Sequence, residues 1–70
     1  MGLIRLRIRE LADEKGWTLK EVSQRSEIPY TTVTTYARSQ GMATVDATAL
    51  LKLARVFEVA IEDLIEVVEE

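Results

Sequence analysis

Among 70 residues there is no cysteine and no histidine. The first absence excludes disulfides, thiolate metal sites and a cysteine nucleophile. The second removes the commonest metal ligand and the commonest acid–base group. Proline occurs once and glycine three times, so chain breaks are few and each of these residues marks one. No apolar run approaches the roughly 18 residues that a membrane span needs. The start is too short and too arginine-rich for a signal peptide, so a soluble, cytoplasmic protein is expected. There is no glycine-rich phosphate loop and no nucleophile–base pair, so neither an enzyme nor a cofactor is expected. The glutamates of residues 58–70 lack the loop spacing of a calcium site and read as a solvated face.

Positive charge is also scarce, and uneven. Residues 1–38 hold seven Lys/Arg against five Asp/Glu, a net of +2, and residues 39–70 hold two against seven, a net of −5, giving −3 overall. Bulk charge therefore does not suit a protein that coats nucleic acid, although a dimer presenting only its basic half to DNA remains compatible with it. The length is that of one domain, residues 1–70. A core of this size supplies only about 3–5 kcal/mol, so every apolar stripe should be buried.

Residues 4–9 alternate Ile-Arg-Leu-Arg-Ile-Arg, a strand pattern that suits a short strand at about 2–6. Ile8, Leu11 and Ala12 then fall at helical spacing, and Lys15-Gly16 is a helix stop, which places helix 1 at about 7–15. Thr18-Leu19-Lys20-Glu21 is a capping box that starts helix 2, with Trp17 and Val22 spaced as a hydrophobic staple. Leu19, Val22 and Ser26 are expected to face inward, with the small Ser23 where another helix crosses. Ile28-Pro29 ends this helix, and Pro29 suits the first turn of the next.

Helix 3 is expected from about Pro29 to Arg38, with Val33, Tyr36 and Ala37 inward and Tyr30, Thr31, Thr34 and Thr35 outward. A strand is the competing reading, because Tyr-Thr-Thr-Val-Thr-Thr-Tyr is rich in strand formers. Two helices joined by a tight turn over residues 18–38 have the layout of a helix-turn-helix. Ser39–Val45 is a loop around Gly41, and Asp46 is an N-cap. Leu50, Leu53, Ala54 and Phe57 give the clearest helical face and set helix 4 at about 47–57. Ile61, Leu64, Ile65 and Val68 continue at helical spacing after a break at 58–60, giving helix 5 at about 61–66. The last residues have two open readings. One is a solvated, frayed end. The other is an acidic strand pairing with residues 2–6, with Arg5 or Arg7 near Glu66 or Glu69.

Read in order, ‘IRELADEKGWT’ with Ile8, Leu11 and Gly16, the set Leu19, Val22, Ser23, Ile28, Val33 and Tyr36, then ‘LLKLARVFEV’ and ‘IEDLI’ resemble the Cro and lambda-repressor type of helix-turn-helix domain, also called XRE-like. The likeness runs from about Ile8 to Ile65. It implies an all-α fold, a compact five-helix lambda-repressor-like domain, to which a short two-stranded pairing of the N- and C-terminal segments can be added. Opening on alternating Arg and apolar residues and closing on an acidic tail resembles a compact subgroup of the family. Glu27 stands where the family usually has Gly in the turn, a position that often needs positive φ at roughly 1 kcal/mol for a non-Gly residue. Glu58 stands at a similar position after helix 4. Leu19 replaces a Gln found in many relatives, and the outward face of helix 3 has no Arg, Lys, Asn or Gln before Arg38.

The resemblance implies a dimeric transcriptional regulator of a bacterium or phage, such as a repressor, with helix 3 in the major groove of double-stranded DNA. Tyr30, Thr31, Thr34 and Thr35 would read bases, and Lys20, Thr32, Arg38 and Ser39 would contact phosphates. Hydroxyl side chains lack the bidentate discrimination of Arg with guanine or Asn with adenine, worth ~1–3 kcal/mol each, so base specificity should be modest. The same residues also fit a plainer description: the threonines as a solvated helix face, Tyr30 as a protein-contact residue, Trp17 as core. The competing function is a protein-interaction module on the same fold, such as an antitoxin component or a regulator with weakened DNA binding.

Overall fold

The computed structural model describes residues 3–42 and 44–68. The elements run β1 (Leu3–Leu6), α1 (Ile8–Lys15), α2 (Leu19–Ser26), α3 (Tyr30–Arg38), α4 (Ala47–Phe57), α5 (Ile61–Leu64) and β2 (Ile65–Val68). The expected termini Gly2 and Glu69 lie outside the described residues.

Local chemistry explains where the helices stop and start. Gly16 closes α1 at φ 73°, with the Gly16 amide donating to Asp13 and the Trp17 amide to Ala12. This left-handed cap costs glycine little. The same cap closes α4, but on Glu58 at φ 58°, with the Glu58 amide donating to Arg55 and the Val59 amide to Ala54. Thr18 caps α2, its Oγ1 accepting from the Glu21 amide at 3.2 Å, and Asp46 caps α4 by accepting from the Thr48 amide at 3.2 Å. Residues 30–38 are helical despite their strand-forming composition. The buried Val33, flanked by half-buried Tyr36 and Ala37, anchors that helix to the core, and tertiary packing overrides a weak local preference.

Leu6, Ile8, Leu11, Val22, Ile28, Val33, Leu53, Phe57 and Leu64 form one core to which all five helices contribute. The inner stripe of α4 is turned slightly from expectation: Ala49 is buried with Leu53, Ala54 and Phe57, while Leu50 is half-buried. Helix 5 ends two residues earlier than its periodicity suggested. Ile65 and Val68 fit a helical spacing, yet residues 65–68 pair antiparallel with β1, in register Leu3–Val68, Ile4–Val67, Arg5–Glu66 and Leu6–Ile65. Ile61, expected on the inner stripe, stays 37% exposed. On the other edge of β1, Ile4 and Met42 exchange two backbone hydrogen bonds of 2.8 and 2.7 Å. A side chain at Gly41 would put its Cβ 3.0 Å from the Cβ of Leu3, so any larger residue there would have to push Leu3 aside by a few tenths of an ångström.

Arg5 ties three elements together. Its guanidinium lies 2.9 Å from the carboxylate of Glu10 on α1 and 2.9 Å from that of Glu66 on β2. The hydrogen bond from Arg5 holds the Glu10 carboxyl below its usual range, with the charges of Arg5 and Arg7 adding to the effect. Burial of the Glu10 Oε1, which has no hydrogen-bond partner among the described residues, opposes this. A carboxyl whose folded-state pKa is depressed stabilises the fold above its unfolded-state pKa and loses that contribution as pH falls through the folded-state value. With the Glu10 side chain 40% exposed, the effect is that of a partly screened pair, about 0.2–1 kcal/mol. Glu10→Gln is therefore expected to lower stability by that amount at neutral pH. Urea titrations at a series of pH values should show the gap from wild type closing in acid.

Candidate nucleic-acid interface

The helix-turn-helix is α2, the turn Glu27–Pro29, and α3. Glu27 takes the left-handed conformation at φ 59°, and its amide donates to Ser23. Ser23 works at the turn itself: its Oγ donates to the Ile28 carbonyl at 2.5 Å, and its own carbonyl accepts from the Ile28 amide at 3.3 Å. Ile28 is buried, and Ser26 is satisfied inside α2 by donating to Val22 at 2.6 Å. A buried anchor on each side of a hydrogen-bonded turn fixes how α3 is presented. Pro29, at φ −53° and ψ 140°, stands just before the first helical residue.

With 3.6 residues per turn, Tyr30, Thr31, Thr34, Thr35 and Arg38 share one side of α3, opposite the buried Val33. Tyr30 is 52% exposed, Thr31, Thr35 and Arg38 are exposed, and Thr34 is half-exposed. The four residues expected to read bases are thus brought together on one outward face. Thr34 Oγ1 donates to the Thr31 carbonyl at 2.9 Å, and Thr35 Oγ1 donates to the same carbonyl at 2.8 Å. An open depression on this helix is lined by Thr31, Thr32, Thr35 and Tyr36.

The residues expected to hold phosphates are spread around that face. Lys20 is exposed in the first turn of α2, beside the Leu19 and Lys20 amides, which have no acceptor within the helix. Thr32 is half-buried and also borders a second depression shared with Glu27, Pro29, Asp46 and Lys52. Ser39 follows α3, its Oγ donating to Gly41 at 3.2 Å. One residue that the sequence did not point to joins them. Arg9 lines a depression with Asp13, Trp17, Thr18 and Leu19, at the start of α2. Only the docking of α1 against α2 brings it there.

Ion pairing sorts the basic residues. Arg25 is paired with Glu21 at 2.8 Å and lies 4.4 Å from the Trp17 ring centroid, Arg5 is shared by two carboxylates, and Lys15 is 3.5 Å from Glu58. Among the described residues, Arg7, Arg9, Lys20, Arg38, Lys52 and Arg55 have no carboxylate partner. Arg7 donates to the Asp63 carbonyl, and Arg9, Lys20 and Arg38 lie on α1, α2 and α3 beside the turn and its helices. The helix-turn-helix is therefore flanked by cations that no carboxylate of the described residues neutralises. Trp17 itself stacks on Phe57, centroids 5.8 Å apart, as a core residue.

Among the described residues no helix is long and apolar enough to cross a membrane, and no group of three or more acidic residues is placed to hold a metal ion. No curated protein and no solved structure is significantly similar to the chain. A family model described as the Cro/C1-type HTH DNA-binding domain matches residues 7–70, which takes in α1, both helices of the helix-turn-helix, α4, α5 and β2. With caps, turn and inward stripes in the places that such a domain requires, the chain belongs to the Cro/C1-type helix-turn-helix DNA-binding domain family.

Proposed function

We propose that this protein is a non-catalytic transcriptional regulator, acting in the cytoplasm, that lays α3 in the major groove and reads it with Tyr30, Thr31, Thr34 and Thr35. The observation that carries this reading is the single outward face formed by these four residues and Arg38. Phosphates on either side would be held by Lys20, Thr32 and Arg38, by the α2 N-terminal amides and by Arg9. Ser39, whose hydroxyl donates to Gly41, would join them only by exchanging that partner for a phosphate. Specificity per domain is modest because no reader makes a bidentate base contact. A dimer on a paired site, with half-sites about 34–36 Å apart, would double the readout. The outer edge of β2 and the exposed Ile61 and Val67 are the regions from which such a dimer would be built.

The test is selection of duplexes from a random library, followed by titration of the recovered duplex at two salt concentrations. A paired, palindromic site should be enriched. Arg38→Ala should weaken binding about equally for all sequences and reduce the slope of log affinity against log salt by about 1. No enrichment, with binding no better than to a random duplex at low salt, would overturn the reading. It would favour instead a protein-interaction module, consistent with the net charge of −3.

A further inference from the structure

The groove reading says which residues face the bases. The hydroxyl geometry goes further and says what they offer. Thr34 Oγ1 and Thr35 Oγ1 lie 2.9 and 2.8 Å from one carbonyl oxygen, that of Thr31. A carbonyl has no proton to give, so a hydroxyl that keeps this contact donates its one proton to it and turns its lone pairs outward. In a helix threonine divides between two χ1 rotamers, one of which brings its Oγ1 to the carbonyl three or four residues back, and Thr34 and Thr35 both adopt the bonded one. What each side chain retains for a partner is a pair of oxygen lone pairs and a methyl group.

Resting on the proposed groove reading, we infer that Thr34 and Thr35 act as acceptor-plus-methyl readers, and that the half-site beneath them consists of A·T pairs. The major-groove edges decide this. Guanine shows two acceptors there, N7 and O6, and meets an acceptor with nothing to share. Cytosine shows an amino donor but no methyl. An A·T pair shows both, the adenine N6 amino group and the thymine C5-methyl. An open depression lined by Thr31, Thr32, Thr35 and Tyr36 adjoins Thr35, and these residue types offer methyl groups and an aromatic ring to a thymine methyl.

The experiment uses the full chain and the duplex recovered from the random library. Adenines of the half-site are replaced one at a time by purine, which lacks the 6-amino group, and thymines by uracil, which lacks the methyl. Wild type should lose roughly five- to tenfold in affinity at one or more positions of each kind, near the lower end for a base contact. Thr34→Val and Thr35→Val keep shape and methyl but have no acceptor. They should be indifferent to purine at the position each reads while keeping the uracil loss. Thr34→Ser and Thr35→Ser should show the reverse. The wild-type analogue series stands even if a variant folds poorly. A recovered palindrome with guanine contacted at these positions, or valine variants that remain sensitive to loss of the adenine amino group, would overturn the inference and leave groove reading intact. Recovery of no duplex would overturn both.

Discussion

Phe57→Ala should leave the chain largely unfolded at 25 °C. Phe57 is 2% exposed at the end of α4 and stacks on Trp17 with centroids 5.8 Å apart and an interplanar angle of 26°. It shares the core with Leu6, Ile8, Leu53 and Leu64. Removing a buried aromatic ring costs about 3–5 kcal/mol, and a core of this size supplies about the same in total. The nearest device that could absorb the loss, the Arg25–Trp17 stack, sits on the partly exposed side of the indole and cannot refill the cavity. Because Trp17 is the only tryptophan, its fluorescence in urea reports the effect directly. Wild type should unfold cooperatively, and the variant should start near its unfolded signal. A cooperative transition within about 1 kcal/mol of wild type would show that the core has another centre.

Thr31→Glu should abolish DNA binding without weakening the fold. Thr31 is exposed in the first turn of α3, where the helix dipole favours a carboxylate. Its carbonyl, which accepts from Thr34 and Thr35, belongs to the backbone and is kept. Any effect on stability should therefore be neutral or favourable. In a groove bounded by phosphates, the new charge meets like charge on both sides, at a cost of several kcal/mol. Affinity for the recovered duplex should fall about a hundredfold or more, with the melting temperature unchanged or raised. Retained binding would mean that α3 does not face DNA.

Much of this structure could be read from single residues and short spacings. Thr18 before α2, Gly16 after Lys15, and Asp46 before α4 each carry a local mechanism, a side-chain cap or a left-handed stop, and each acts where its chemistry indicated. Glu21, expected to complete a capping box with Thr18, pairs with Arg25 instead. The alternation of Arg and apolar residues at 4–9, set against an acidic C-terminus, admitted a strand pairing of Arg5 or Arg7 with Glu66 or Glu69 beside a frayed end, and of these the structure forms the pairing of Arg5 with Glu66. The end of α5 was not legible, because Ile61, Leu64, Ile65 and Val68 satisfy a helical period as they stand. Pairing with β1 is a distant contact that decides the matter for residues 65–68. Glu27 and Glu58 show the limit from the other side. Neither residue type announces a left-handed cap, and only the likeness to a known layout drew attention to them.

For the interface, the outward face of α3 followed from periodicity once the helix was granted. The roles of the cations did not. Arg9 reaches the start of α2 through helix docking, and Arg25 is withdrawn from the basic set by Glu21 and Trp17. Which carbonyl the Thr34 and Thr35 hydroxyls meet is likewise a property of rotamers, not of the letters Thr and Thr.

On the proposed reading α3, with the start of α2 beside it, is the surface that meets DNA. The most direct test is to follow backbone amide chemical shifts by NMR while the recovered duplex is added. Shifts should concentrate at residues 18–20 and 30–39, with Arg9 as an outlier from α1 and little change in α4. Shifts confined to α4, α5 or β2, with α3 silent, would contradict it.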